Sequence, residues 1–186
     1  MKIVLGGSRQ LEFVPQEAAE RVVEWMEASS EFLVGDAPGT DRAFQRFLKS
    51  KQFTAVTVFS SAEEIRNNLG NWPVERVNSG LKNKSNSVHA FKDRKMSQIA
   101  ETGLMIWDCK SAGTLSNVID LLRQGKKCYI WVAPDSEMYQ FDNSVSFEKW
   151  MKKYPEVRDE ALKRLSKFYK REARRTSQNS QPDLFG

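Results

Sequence analysis

Three stretches of the chain combine glycine with hydroxyl-bearing and charged side chains, and each follows a short apolar run. The first comprises residues 6–9, the second residues 35–42 and the third residues 108–114. Glycine lets a phosphate or a ribose approach the backbone closely, and the N–H groups at a following helix start favour anionic oxygen. One such stretch would be weak evidence for a binding site, but three at strand ends are stronger evidence. Together they predict a single crevice that binds a nucleotide.

Each residue type in these stretches has an expected role in holding a sugar phosphate. Close backbone approach is expected at Gly6, Gly7, Gly35, Gly39 and Gly113, hydroxyl hydrogen bonds from Ser8, Ser111 and Thr114, and charge-assisted contacts from Arg9, Arg94 or Lys95. Asp36 or Asp108 could accept a hydrogen bond from a ribose hydroxyl. The predicted ligand-binding set also includes Ala37, Thr40 and Asp41. The alternative is that the glycines only make tight turns and that Asp41 pairs with Arg42 on a helix surface.

Alternating strands and helices must position these stretches. The pattern predicts strands at residues 2–5, 32–34, 55–59, 104–107 and 127–132, and helices at about 15–28, 39–51, 88–102 and 113–125. Residues 60–86 are expected to form loops with one short helix. This alternation favours a Rossmann-like, doubly wound parallel α/β sheet with strand order 3-2-1-4-5. Its ligand crevice is expected between the first and fourth predicted strands.

The chain changes character after the last predicted strand. We expect a Rossmann-like domain over residues 1–135, a basic amphipathic helical extension over residues 136–175 and a disordered tail over residues 176–186. Pro155 is expected to end one helix of the extension and to begin the next. Residues 151–175 carry ten basic and four acidic side chains, whereas residues 1–150 are balanced. The extension is expected to pack on the body or on a second copy with its lysines in solvent, and weak DNA contact is the alternative.

Composition narrows the function classes further. No apolar stretch is long enough to span a bilayer, and no signal peptide is recognisable, so a cytoplasmic location without membrane attachment is expected. Two cysteines do not make a disulfide framework. His89 is the single histidine and has no ligand cluster in the sequence around it, so we expect no metal site.

In their order and spacing, the three motifs resemble the SLOG superfamily of Rossmann-like nucleotide-binding proteins, and most closely its small stand-alone bacterial and phage branch. The resemblance covers roughly residues 1–133. It implies a protein that binds a nucleotide or an NAD-derived ligand as a sensor or accessory protein, with no required cofactor. Pairing of relatives through helices suggests a homodimer.

Some members of this superfamily cleave the N-glycosidic bond of nucleoside monophosphates, which is the alternative function. Arg94 and Lys95 match the Arg-Lys pair of those enzymes, but Asn117 stands where they carry a glutamate after Gly-Thr. Asparagine cannot ionise to stabilise an oxocarbenium ion or to activate water. Four carboxylates could substitute: Asp36, Asp41, Asp93 and Asp108. Enzymatic activity is therefore left open, with Arg94, Asp36 and Asp108 as candidate catalytic residues.

The last residues resemble the peptide that docks on the bacterial sliding clamp. Gln181, Asp183, Leu184 and Phe185 match the usual Gln-Leu-(Ser/Asp)-Leu-Phe form, whereas Pro182 replaces its leucine. A Leu-Phe pair on a mobile tail could fill an apolar pocket while the backbone orders on binding. A further alternative is therefore a DNA-metabolism accessory protein that the clamp recruits.

Overall fold

The computed structural model describes residues 1–62, 64–77 and 86–179, and within the last range it describes side chains from residue 91 to residue 174. In chain order the elements are β1 (Lys2–Gly7), α1 (Gln16–Glu27), β2 (Glu31–Gly35), α2 (Thr40–Ser50), β3 (Val56–Ser60), β4 (Val74–Arg76), α3 (Asn86–Ile99), β5 (Thr102–Trp107), α4 (Ala112–Arg123), β6 (Lys127–Val132), β7 (Glu137–Phe141), α5 (Ser144–Trp150), a 3-10 turn (Met151–Lys153) and α6 (Pro155–Asn179).

The strands form one sheet in the order β4-β3-β2-β1-β5-β6-β7. Neighbouring strands are parallel except for β6 and β7, which pair antiparallel. The chain therefore folds as a Rossmann-like α/β protein with a mostly parallel sheet. The strand order reverses between β4 and β5, which places the carboxyl ends of β1 and β5 side by side, where ligands bind in such sheets.

The predicted five-stranded order is incomplete, because two further strands extend the sheet. The five predicted strands correspond to β3, β2, β1, β5 and β6, which are consecutive in the sheet. β4 lies in the segment that was expected to hold only loops and a short helix, and its three residues are too few to show alternation. β7 lies in the extension that was expected to be helical. It has one neighbour, β6, and most of its side chains are partly or fully exposed, so its hydrophobic pattern is weak.

Successive strand residues turn to opposite faces of the sheet, and each face has its own helices. α1 and α2 pack on the face that includes Ile3, Leu5 and Ile106. α3, α4, α5 and α6 pack on the opposite face, which includes Val4, Met105 and Trp107. These two layers enclose the sheet, and the loops at its carboxyl edge lie where the layers meet.

The C-terminal extension shares a hydrophobic core with the body. Tyr154 packs edge-on against Trp107 with ring centroids 4.9 Å apart, and Phe168 packs against Phe91 at 4.9 Å. Pro155 begins α6 as predicted, but α6 continues to Asn179, so residues 176–179 belong to a helix and not to a disordered tail. The sliding-clamp prediction falls on residues 181–186, which lie outside the described residues. Among the described residues, no helix combines the length and the apolar character needed to cross a bilayer.

Candidate functional site

A cavity of about 650 Å³ lies at the carboxyl ends of β1 and β5. All three glycine-containing stretches contribute to its lining, together with residues of α3 and α6. The predicted ligand-binding residues on its wall are Gly6, Gly7, Arg9, Ala37, Asp41, Asp108, Ser111, Gly113 and Thr114. Stretches that are far apart in the chain thus meet around one hollow.

The first and third stretches are joined by hydrogen bonds through Ser8. The Ser8 hydroxyl donates to Asp108 Oδ1 at 2.8 Å and accepts from the Asp108 backbone N–H at 3.1 Å. Asp108 Oδ1 also accepts the N–H groups of Lys110 and Ser111 at 3.0 and 2.8 Å. Ser8 is fully buried, so its hydroxyl fixes the shape of the two loops.

The first and second stretches touch through their backbones. Thr40 Oγ1 donates to the Ser8 carbonyl at 2.8 Å and to the Leu11 carbonyl at 3.2 Å. Gly39 has a φ of +79°, and a Cβ at this position would overlap the carbonyl group of Arg9. Glycine is needed at this contact for both its conformation and its size. Thr40 and Gly39 therefore hold the loops together and do not line the cavity.

A buried ion cluster lies behind the second stretch. Lys92 Nζ is 3.3 Å from Asp36 Oδ1 and 3.4 Å from Asp41 Oδ2. Asp36 also pairs with Arg66 and accepts a hydrogen bond from the Ser60 hydroxyl at 2.8 Å. A Cβ on Gly35 would overlap Asp41 Oδ2 and would lie 2.5 Å from Lys92 Nζ, so glycine makes room for this cluster.

The two aspartates of the cluster, Asp36 and Asp41, have different roles. Asp36 is fully buried and does not contribute to the cavity wall, whereas Asp41 lines the cavity with 13% of its side chain exposed. Burial opposes ionisation of Asp36, but the hydrogen bond from Arg66 and the charge of Lys92 hold its pKa well below the usual range. Burial raises the pKa of Asp41, and Lys92 offsets only part of this shift. Asp36 is thus placed as a structural anion, and Asp41 is the carboxylate that a ligand can reach.

The start of α4 forms the anion-favouring part of the cavity. Ser111 is the N-cap and its side chain accepts a hydrogen bond from the Thr114 N–H at 3.3 Å. A Cβ built on Gly113 would lie 3.6 Å from Arg164 Nη1 and 3.8 Å from Ser111 Oγ, so a small side chain fits there in ordinary van der Waals contact. The free N–H groups of a helix start carry partial positive charge and attract anions.

Arg94 and Lys95, the predicted pair on α3, occupy different environments. Arg94 is buried at the cavity wall, where Nη1 lies 3.0 Å from Asp120 Oδ2 and 3.1 Å from the Ser116 carbonyl, and Nη2 donates to Asn117 Oδ1. Lys95 is exposed and does not line the cavity. The structure therefore places only Arg94 at the cavity, and much of its hydrogen-bonding capacity serves to hold α3 against α4.

Sequence reasoning missed Lys92 and the contribution of α6. Glu160, Arg164, Lys167 and Arg171 line the cavity while remaining exposed, so the basic side chains of the extension lie in solvent, as expected, and also border the cavity. A sequence signal for these four residues was present, because they form a charged stripe beside the apolar stripe of Ala161, Leu165 and Phe168. No comparable sequence pattern pointed to Lys92, since a lysine beside Asp93 and Arg94 is typical of a solvated helix face.

No protein-family model, curated protein or solved structure matches the chain. Within the described ranges, no three His, Cys, Asp or Glu side chains come close enough together to hold a metal ion. The chemistry of the site is therefore inferred from its own residues.

Proposed function

We propose that the protein binds a nucleotide or an NAD-derived molecule in the cavity, as a sensor or accessory protein of the SLOG type. The observation that carries this proposal is the direct bonding of Ser8 to both neighbouring loops around one hollow. Loops that are fixed to each other keep their amide and hydroxyl groups in place before a ligand arrives, which lowers the entropic cost of binding.

The charge of the wall favours an anionic ligand. Seven basic side chains line the cavity, namely Arg9, Lys92, Arg94, Lys110, Arg164, Lys167 and Arg171, against the four acidic side chains of Asp41, Asp93, Asp108 and Glu160. Arg164 lies beside the start of α4, where its own positive charge is repelled by the helix dipole. A phosphate between them relieves this repulsion and accepts hydrogen bonds from both.

The apolar part of the cavity wall suits a base or a sugar. Phe91, Met96 and Met105 line it and are nearly buried, so they offer an apolar wall. Ligand pockets typically combine such a wall with a few convergent polar groups. The combination supports a nucleotide over a simple inorganic anion.

The first test replaces Gly113 by aspartate. The new carboxylate has space beside Arg164 and lies in the first turn of α4, where a negative charge stabilises the helix. We expect a free energy of unfolding that is unchanged or higher by about 0.5–1 kcal/mol. Binding of AMP, ADP, GMP and NAD, measured by calorimetry, should weaken at least about tenfold because the carboxylate occupies the phosphate position.

Gly113→Ala is the matched control, since it adds a side chain without charge. A Cβ at this position makes no protein contact shorter than 3.6 Å, so the alanine variant should fold like the wild type and lose less affinity than the aspartate variant. Wild-type protein that binds neither inorganic phosphate nor any of the four nucleotides contradicts the proposal. Wild-type affinity in the aspartate variant would place the phosphate elsewhere.

Asp41 supports a second candidate function, cleavage of the N-glycosidic bond of a nucleoside monophosphate. It is a cavity-lining carboxylate whose pKa burial raises, which suits a group that takes up a proton from water. Incubation of the pure protein with AMP, GMP, CMP and NAD, followed by chromatography for the free base, tests this reaction. Catalysis through Asp41 predicts base release that Asp41→Asn lowers by about 100-fold or more. Intact nucleotides after prolonged incubation would leave binding as the function.

A further inference from the structure

We propose that Arg164, Lys167 and Arg171 of α6 form a second anion subsite of the cavity, so that the preferred ligand is a nucleotide with at least two linked phosphate groups. This inference rests on the nucleotide-binding function proposed above and specifies its ligand class.

The register of α6 on the body determines which side chains face the cavity. Ala161, Leu165 and Phe168 are buried against the body, and Ser116 Oγ donates to the Ala161 carbonyl at 3.2 Å. Phe168 packs on Phe91, which itself lines the cavity. These contacts fix the rotation of α6 about its axis.

The adjacent stripe of α6 carries the cations. Residues 160, 164, 167 and 171 recur at spacings of four, three and four, so they lie on one side of the helix next to the buried stripe. All four are exposed and line the cavity, whereas Lys163 and Lys170 on the same helix are also exposed but do not line it. Because the buried stripe holds the helix in this register, the three cations keep their position at the cavity.

The carboxylates at hand do not neutralise the stripe. Glu160 accepts a hydrogen bond from Arg164 Nε at 2.9 Å, which leaves the other guanidinium nitrogens of Arg164 available. Among the residues that the structure describes, no carboxylate lies within ion-pair distance of Lys167 or Arg171. Three cations that share a single carboxylate at a cavity mouth attract a multiply charged anion.

The layout of the stripe indicates a chain of phosphates and not one phosphate. Arg164 is beside Gly113 at the start of α4, where the first phosphate is expected. Helical rise places Lys167 about 4.5 Å and Arg171 about 10 Å farther along the α6 axis. A single phosphate at the start of α4 leaves these two cations unused, whereas linked phosphates extend toward them.

The test uses inorganic probes, so that it does not depend on which base the protein prefers. Binding of phosphate, pyrophosphate and tripolyphosphate to the full chain is measured by calorimetry at low ionic strength. We expect wild-type affinity to rise at least about tenfold from phosphate to tripolyphosphate. The variant K167A/R171A should lose at least about tenfold in tripolyphosphate affinity and keep its phosphate affinity within about twofold, because one charge-assisted contact of this kind already contributes about tenfold.

The control is K163A/K170A, which removes the same two charges from exposed positions of the same helix. It should bind all three probes like the wild type. An equal loss in both double variants would show a general charge effect and would overturn the subsite. A wild type that binds phosphate as tightly as tripolyphosphate, with binding that Gly113→Asp abolishes, would overturn the subsite and keep the proposed function.

The remaining outcomes also decide between the hypotheses. Failure of wild-type protein to bind any of the three probes or a nucleotide overturns both proposals. A single-stranded DNA oligomer that displaces tripolyphosphate, with an affinity that K167A/R171A lowers, would assign the stripe to a nucleic-acid backbone and would also overturn the nucleotide subsite.

Discussion

At the scale of single residues, Lys92 links the second loop to α3. Its side chain is 3% exposed and lies within 4.0 Å of Asp36, Asp41 and Asp93. Burial opposes its charge, but these carboxylates outweigh the burial and raise the pKa of Lys92. An ammonium group that is paired on several sides stays charged while buried, so the lysine fixes the position of Asp41 at the cavity wall.

Asp36→Asn tests the structural role of this cluster. The substitution keeps the shape of the side chain but removes the charge that faces Lys92 and Arg66, and removing one partner of a buried ion pair typically costs about 3–5 kcal/mol. Since Lys92 retains Asp41 and Asp93, we expect a loss near the lower end of that range at pH 7. Urea denaturation measures the free energy of unfolding.

The stability difference between the wild type and Asp36→Asn should depend on pH in a defined direction. Asp36 has a lowered pKa when folded, so its contribution is present above the unfolded pKa, near pH 4, and is lost as the pH falls from there toward the folded value. The difference between wild type and Asp36→Asn should therefore shrink below about pH 4. Asp93→Asn is the control, because Asp93 is 27% exposed and 4.0 Å from Lys92. A difference that grows on acidification would contradict the assignment.

At the scale of elements, α6 closes the cavity because it is part of the core. Leu165 is 2% exposed and belongs to the same apolar cluster as Trp107 and Leu115. Tyr169 also donates a hydrogen bond to Asp120, the residue that pairs with Arg94. The helix is thus held by apolar packing and by a partly buried hydrogen bond, and the position of its cationic stripe depends on both.

Leu165→Ala tests whether the extension and the body unfold together. Loss of a buried leucine side chain typically costs about 2–5 kcal/mol, including the cavity that it leaves. Because one core spans both parts, far-ultraviolet circular dichroism and tryptophan fluorescence should report the same shifted transition. Lys163→Ala, at an exposed site of α6, should leave stability within about 0.5 kcal/mol. Two separate transitions in the leucine variant would show that the extension folds independently.

At the scale of the whole molecule, the sheet topology brings the three loops together. Residues 6–9, 35–42 and 108–114 end parallel strands that are neighbours in the sheet, and parallel strands present their carboxyl ends at the same edge. The sequence allowed this arrangement to be predicted, because strand–helix alternation and right-handed crossovers leave few possible sheet topologies. The edge strands β4 and β7 could not be predicted, because a three-residue strand and a half-exposed strand show little alternation of apolar and polar residues.

The sequence alone determined the local features of the site: glycines at the strand ends, a helix that starts near residue 113, and a helix that begins at Pro155. These follow from short-range sterics, hydrogen bonding and periodicity. Only the tertiary structure decided that Asp41 reaches the cavity while Asp36 is buried, and that α6 turns its cations toward the start of α4. The reason is that both outcomes depend on packing between residues that lie far apart in the chain, such as Lys92 with Asp36 and Phe168 with Phe91. Periodicity predicts which face of an element is buried, but it does not identify the residues that the face will meet.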